Sequence, residues 1–208
     1  MIDQRFVFLA AIIDLAGVST YIYSTLKGET KPNRVTWLLW AIIPLIAFAA
    51  EKNEHVGLPA VMTFMVGFCP LLVFLSSFFN GKAYWKISRL DIACGALSVL
   101  ALIVWRLIGT GNVAIAFSLI ADSLAGAPTL GKSLVAPSTE NGKIFLCGAA
   151  NATITLLTIN DWNFANWGYP LYILVFCLVL FFVIEFRLGK KLERFVPAFL
   201  VNASAEQE

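Results

Sequence analysis

Hydrophobic positions along this chain gather into seven apolar stretches separated by short polar ones. They run from Phe6 to Leu26, Val35 to Ala50, Gly57 to Phe79, Leu90 to Ile108, Val113 to Leu130, Ile144 to Ile159, and Trp167 to Phe186. Each approaches the ~20 residues that carry an α-helix across ~30 Å of hydrocarbon. The pattern predicts an all-α membrane protein of seven transmembrane helices. The second, fifth and sixth stretches are short, and Pro44 and Pro128 interrupt two of them. A proline inside such a helix frees a carbonyl that neighbours or water must satisfy. Pro44 and Pro128 are therefore candidate hinges for a rocking motion, or static kinks.

Composition agrees. Of 208 residues, 59% are hydrophobic and 13% charged, and the mean hydropathy is +0.80. Soluble domains carry roughly twice that charged fraction, and one core of this size would leave about 30% of the unfolded surface in water. A lipid bilayer as solvent removes the conflict. The net charge of +2, with its basic residues dispersed, gives a nucleic-acid partner nothing to bind. Cys69, Cys94, Cys147 and Cys177 all lie in apolar stretches with no zinc spacing, so they read as small packing residues. His55 stands alone in a charged loop. No metal and no cofactor is expected. The first stretch is too long for a signal core and holds Asp14, so it reads as a retained helix.

Basic residues set the orientation. Lys27, Lys31, Arg34, Lys82, Lys86, Arg89, Lys132, Lys143, Arg187, Lys190, Lys191 and Arg194 fall on one side of a seven-span path. Only Arg5, Lys52 and Arg106 fall on the other. Twelve against three places the N-terminus outside and the C-terminus in the cytoplasm of a multi-pass cell-membrane protein. Tyr84 and Trp85 would mark the inner border, and Trp105, Trp162, Trp167 and Tyr169 the outer one. The sequon Asn202-Ala203-Ser204 would lie in the cytoplasm, unused.

The chain also repeats itself. Asp14 to Asn33 reads DLAGVSTYIYSTLKGETKPN, and Asp122 to Asn141 reads DSLAGAPTLGKSLVAPSTEN. Each puts an aspartate inside an apolar helix, then small residues, then Thr, Lys and Pro in one order, with a gap of about three residues. Faint repeats of this kind occur in transporters. The implied plan is a 3+1+3 parallel duplication. Residues 1–80 form a first three-helix bundle, 81–110 a linker helix, 111–187 a second bundle and 188–208 a cytoplasmic tail.

Gly126 to Leu146, GAPTLGKSLVAPSTENGKIFL, resembles the SWEET and PQ-loop group of transporters through Pro128-Thr129 and Ser138-Thr139-Glu140. The seven-helix plan fits that group and equally the PnuC-type vitamin transporters. No Pro-Gln dipeptide occurs, and the first copy has Ser19-Thr20 where the group tends to have proline. The resemblance implies alternating access for a small polar solute such as a sugar or vitamin-like molecule. It also implies an aromatic platform in the second helix, for which Trp40 is the candidate, and proton coupling at an intramembrane acid.

Candidate chemistry centres on Asp14 and Asp122. Asp14 is eight residues past Phe6, ~12 Å into the membrane at 1.5 Å per residue. A central carboxylate costs ~2.5–3.5 kcal/mol to insert, so it faces a cavity or a partner. Small or polar stripes extend from each: Asp14, Gly17, Tyr21 and Ser24; Asp122, Ala125, Thr129 and Lys132. The acids either bind solute or a proton, or bond across to a neighbouring helix. Asn151, beside Thr153 and Thr155, is a solute contact or interhelical glue. Trp37 reads as a border aromatic, and Asn33 as the cap of the second helix. Substrate contacts are thus expected from Trp40, Asn151, Asp14, Asp122, Tyr21 and Thr129.

No nucleotide-binding motif occurs, and no nucleophile, base and acid converge, so an enzyme is not expected. The alternative is a non-transporting seven-helix receptor or assembly partner, since fold does not fix function. Either one chain or a homo-oligomer would complete the path.

Overall fold

Seven helices of 17 to 25 residues make up the computed structural model, which describes residues 2–53, 58, 60–108 and 111–191. They are α1 (Phe6–Lys27), α2 (Arg34–Asn53), α3 (Ala60–Ser76), α4 (Arg89–Ile108), α5 (Gly111–Val135), α6 (Gly142–Thr158) and α7 (Phe164–Glu185). A 3₁₀ turn, Pro137–Thr139, joins α5 to α6, and a short α8 (Leu188–Lys191) follows α7. Among the described residues there is no strand. The all-α class expected from the pattern is what folds.

Local chemistry fixes the ends. α1 stops at Gly28, whose φ of +77° lets its N–H turn back to the Ser24 and Thr25 carbonyls. Asn33 caps α2 by accepting from the N–H groups of Val35 at 3.1 Å and Thr36 at 3.3 Å. Asn141 caps α6 in the same way through Lys143 N–H at 3.0 Å, and Asn163 caps α7 through Asn166. Prolines sit inside α2, α3, α5 and α7 at Pro44, Pro70, Pro128 and Pro170.

Three expectations need correction. α5 runs on to Val135, so Lys132 is helical and buried, not a loop charge. Trp85 is buried beneath the Lys132 ammonium, 4.9 Å from its ring centre, and does not stand at a border. Trp37 is only 2% exposed and belongs to the core. In each case a polar partner or a close ring holds the group inside, which hydropathy alone does not register. His55, Arg194 and Asn202-Ala203-Ser204 lie outside the described residues, as do the side chains of Lys52, Trp105, Arg106, Lys190 and Lys191.

Packing follows a recurring pattern. α3 packs on both α1 and α2, and α7 packs on both α5 and α6. Between the two triples, α1 lies along α6 and α5 along α2. α4 packs on α5 and more lightly on α2.

Large apolar side chains lie on the surface and several polar ones inside. Phe8, Ile12, Ile92, Leu100, Leu107 and Val175 are each more than half exposed, while Asp14, Asp91, Asp122, Lys132, Glu140 and Asn151 are buried. Among the described residues two helices, Phe6–Lys27 and the Asn166–Glu185 portion of α7, are long and apolar enough to cross a membrane. Such a surface fits association with lipid.

Candidate functional site

Close approach of two helices positions the first acid. At Gly17 a Cβ atom would sit 2.6 Å from the Cys147 Cβ and 3.3 Å from the Ile144 backbone, so α1 and α6 meet on a residue without a side chain. One turn before it, Asp14 is buried and accepts a hydrogen bond from the Asn151 amide of α6. The stripe Asp14, Gly17, Tyr21, Ser24 is buried throughout. The stripe Asp122, Ala125, Thr129, Lys132 of α5 is buried as well.

Both aspartates line one cavity, in which the centres of water molecules have about 90 Å³ to occupy. That is room for several waters. Its wall follows a numerical rule. Ten of the fifteen lining residues form five pairs 108 positions apart: Asp14 with Asp122, Trp37 with Phe145, Trp40 with Gly148, Met65 with Ile173, and Cys69 with Cys177. The helix caps Asn33 and Asn141 keep the same spacing, as do the starts of α2 and α6 at Arg34 and Gly142. This register is ungapped, in place of the three-residue gap that matching Thr, Lys and Pro requires.

Inside that register the two acids have different partners. Position 43, equivalent to Asn151, is Ile43, so Asp122 receives no amide there. It accepts instead from the Tyr172 hydroxyl of α7 at 2.9 Å. The equivalent of Tyr172 is Phe64, which has no hydroxyl to offer. Asp14 is thus tied across the seam between the triples, and Asp122 within its own.

Aromatic rings gather on the side of the cavity toward the end of α1. Trp37 meets Trp40 at 5.3 Å and Tyr21 at 4.9 Å between ring centres, and Trp40 meets Phe176 edge-on at 5.8 Å. Trp40 also points its indole N–H at the Asp122 carbonyl, 3.4 Å away. Such pairs add about 0.5–1.5 kcal/mol each beyond their buried area.

Beyond the rings lies a buried polar cluster. Glu140 accepts from the Lys132 ammonium at 2.6 Å and from the Tyr21 hydroxyl at 2.6 Å. Lys132 also donates to the Lys31 carbonyl, and Asn141 reaches the Thr20 carbonyl and Ser24 hydroxyl at 3.3 Å. Nearby, the Asn33 amide donates to Asp91 at 2.6 Å. The first half has Ser24 and Pro32 where the second has Lys132 and Glu140, so this cluster is not duplicated.

Of the residues singled out from the sequence, Asp14, Asp122, Trp40 and Asn151 come together on the cavity wall. Tyr21 and Thr129 do not. Tyr21 serves the Glu140 cluster, and the buried Thr129 hydroxyl has no hydrogen-bond partner. Pro44 is not on the wall, whereas Pro70, which was not singled out, is. Tyr172 and Phe176 were also missed, although counting 108 back from Cys177 to Cys69 would have flagged their neighbourhood. Among the described residues no three His, Cys, Asp or Glu side chains group as a metal site would need.

No family model, curated protein or solved structure matches this chain.

Proposed function

We propose that this chain is a seven-span membrane transporter, built as two three-helix bundles joined by α4, that moves a small polar solute by alternating access. The shared cavity carries the reading: two costly carboxylates at equivalent positions, facing one space between the two triples. The exchange of α1 on α6 for α2 on α5 supports a duplication related by an axis along the membrane normal. The apolar exterior and polar interior support seven spans, and the twelve-to-three basic bias supports an outside N-terminus. The resemblance to the SWEET, PQ-loop and PnuC-type layouts agrees with this plan.

In this reading Asp122 or Asp14 also serves as the proton carrier where transport is coupled. Purified protein in liposomes, offered sugars, nucleosides, amino acids and amines, should take up one class saturably, and Asp122→Asn should cut that uptake at least tenfold. Inactivity of well-folded protein toward the whole panel would favour a receptor.

A further inference from the structure

The two acids of the cavity have no basic side chain beside them among the described residues. Asp14 accepts a hydrogen bond from Asn151 and Asp122 one from Tyr172, whereas a carboxylate offers about four acceptor sites. Among the described residues no Lys, Arg or His lines the space. The buried base of α5, Lys132, is ten residues past Asp122, ~15 Å along the helix, and is already engaged by Glu140. Two buried acids with spare acceptors favour a ligand that brings N–H donors and positive charge.

Aromatic placement selects between the acids. Asp14 sits at the close α1–α6 contact with its amide partner. Around Asp122, Trp40 lies against the backbone carbonyl, Phe176 meets Trp40 at 5.8 Å, and Tyr172 stacks on Phe176 at 5.6 Å. Gly126, one turn on, gives the rings their room: a Cβ there would lie 2.7 Å from Trp40 and press on Phe176. Ring faces beside a carboxylate form a cation site, because the quadrupole and the full charge attract the same ligand. A sugar would need several neutral hydrogen-bonding groups, and among the described residues the wall has one amide, Asn151.

We infer that the cavity takes a solute with a small cationic nitrogen head, an amine or guanidinium, with Asp122 as counter-ion and Trp40 and Phe176 as aromatic wall. The inference rests on the transport reading for treating the cavity as a solute site, and it narrows the solute class.

Methylguanidinium and its neutral isostere methylurea decide it, titrated against the full-length protein in nanodiscs by tryptophan fluorescence and thermal shift. Methylguanidinium should saturate and methylurea should not. Asp122→Asn should weaken the cation at least tenfold, Trp40→Phe a few-fold, and the remote Phe79→Leu not at all. Equal binding of methylurea, or of methylguanidinium to a helical, monodisperse Asp122→Asn variant, overturns the inference. Should that variant not fold, the isostere comparison on the native chain and on Trp40→Leu still decides, loss of preference in Trp40→Leu being the expected result and undiminished preference the overturning one. Uptake assays on the same purified protein in liposomes separate the two readings. Sugar uptake without cation binding overturns the cation and leaves transport; cation binding without uptake does the reverse.

Discussion

The Asn151 amide donates to the Asp14 carboxylate across the seam between α6 and α1, joining the two helix triples at the cavity wall. Removing the amide alone strands a buried acid, which costs about 1–3 kcal/mol, whereas replacing both partners with apolar groups is close to neutral. Asn151→Leu should therefore lower the melting temperature in detergent by several degrees, and Asp14→Leu combined with it should recover most of the loss. Equal melting of single and double variants would show the bond to be idle.

The Lys132–Glu140 pair makes a sharper case of the same logic. Breaking a buried ion pair from one side costs about 3–5 kcal/mol, while an apolar replacement of both sides is often neutral or stabilising. Glu140→Leu should destabilise strongly, and Lys132→Met with Glu140→Leu should restore stability. Urea-shifted melts of the four forms measure the coupling; additive losses would contradict the geometry.

Glycine at 126 is a test of the aromatic wall. Gly126→Ala places a methyl in contact with Trp40 and Phe176, and an intrusion of this kind costs about 1–3 kcal/mol. Uptake should fall at least tenfold. Gly148→Ala, whose Cβ would meet only the Cys177 sulfur at 3.0 Å and its Cβ at 3.9 Å, should do less. A ranking in the opposite order would remove the wall from the site.

Proton coupling has its own signature. With an inward acid gradient, wild-type uptake should rise, and Asp14→Asn should still take up solute but not respond to the gradient. Wild-type uptake indifferent to the gradient would leave a facilitative carrier.

Orientation is checked by labelling. With the four native cysteines replaced, Asp161→Cys in the exposed turn before α7 should react with an impermeant maleimide on intact cells. Lys82→Cys, in the loop after α3, should react only after permeabilisation. The reverse result would invert the topology.

Much of the fold was legible because hydropathy records what each helix shows to its surroundings, and seven stretches became seven helices with ends set by Asn33, Asn141 and Gly28. Asp14, Asp122 and Asn151 were legible because polar groups are expensive in apolar stretches, and Trp40 because the transporter resemblance implies an aromatic in the second helix. Lys132 and Trp85 were misread because an ion pair and a cation over a ring hold them inside, and no local pattern encodes a partner such as Glu140 eight residues away. The bond of Tyr21 was hidden for a similar reason: its hydroxyl satisfies a carboxylate 119 positions later. Tyr172 and Phe176 hid in an α7 stretch so rich in rings that none stood out, and only the 108-residue register separates them.

Glu140 belongs to the turn between α5 and α6, yet it grips Tyr21 from one helix and Lys132 from another. A single side chain in a short turn therefore couples α1 to the base of α5, and a change at position 140 reaches both helices at once.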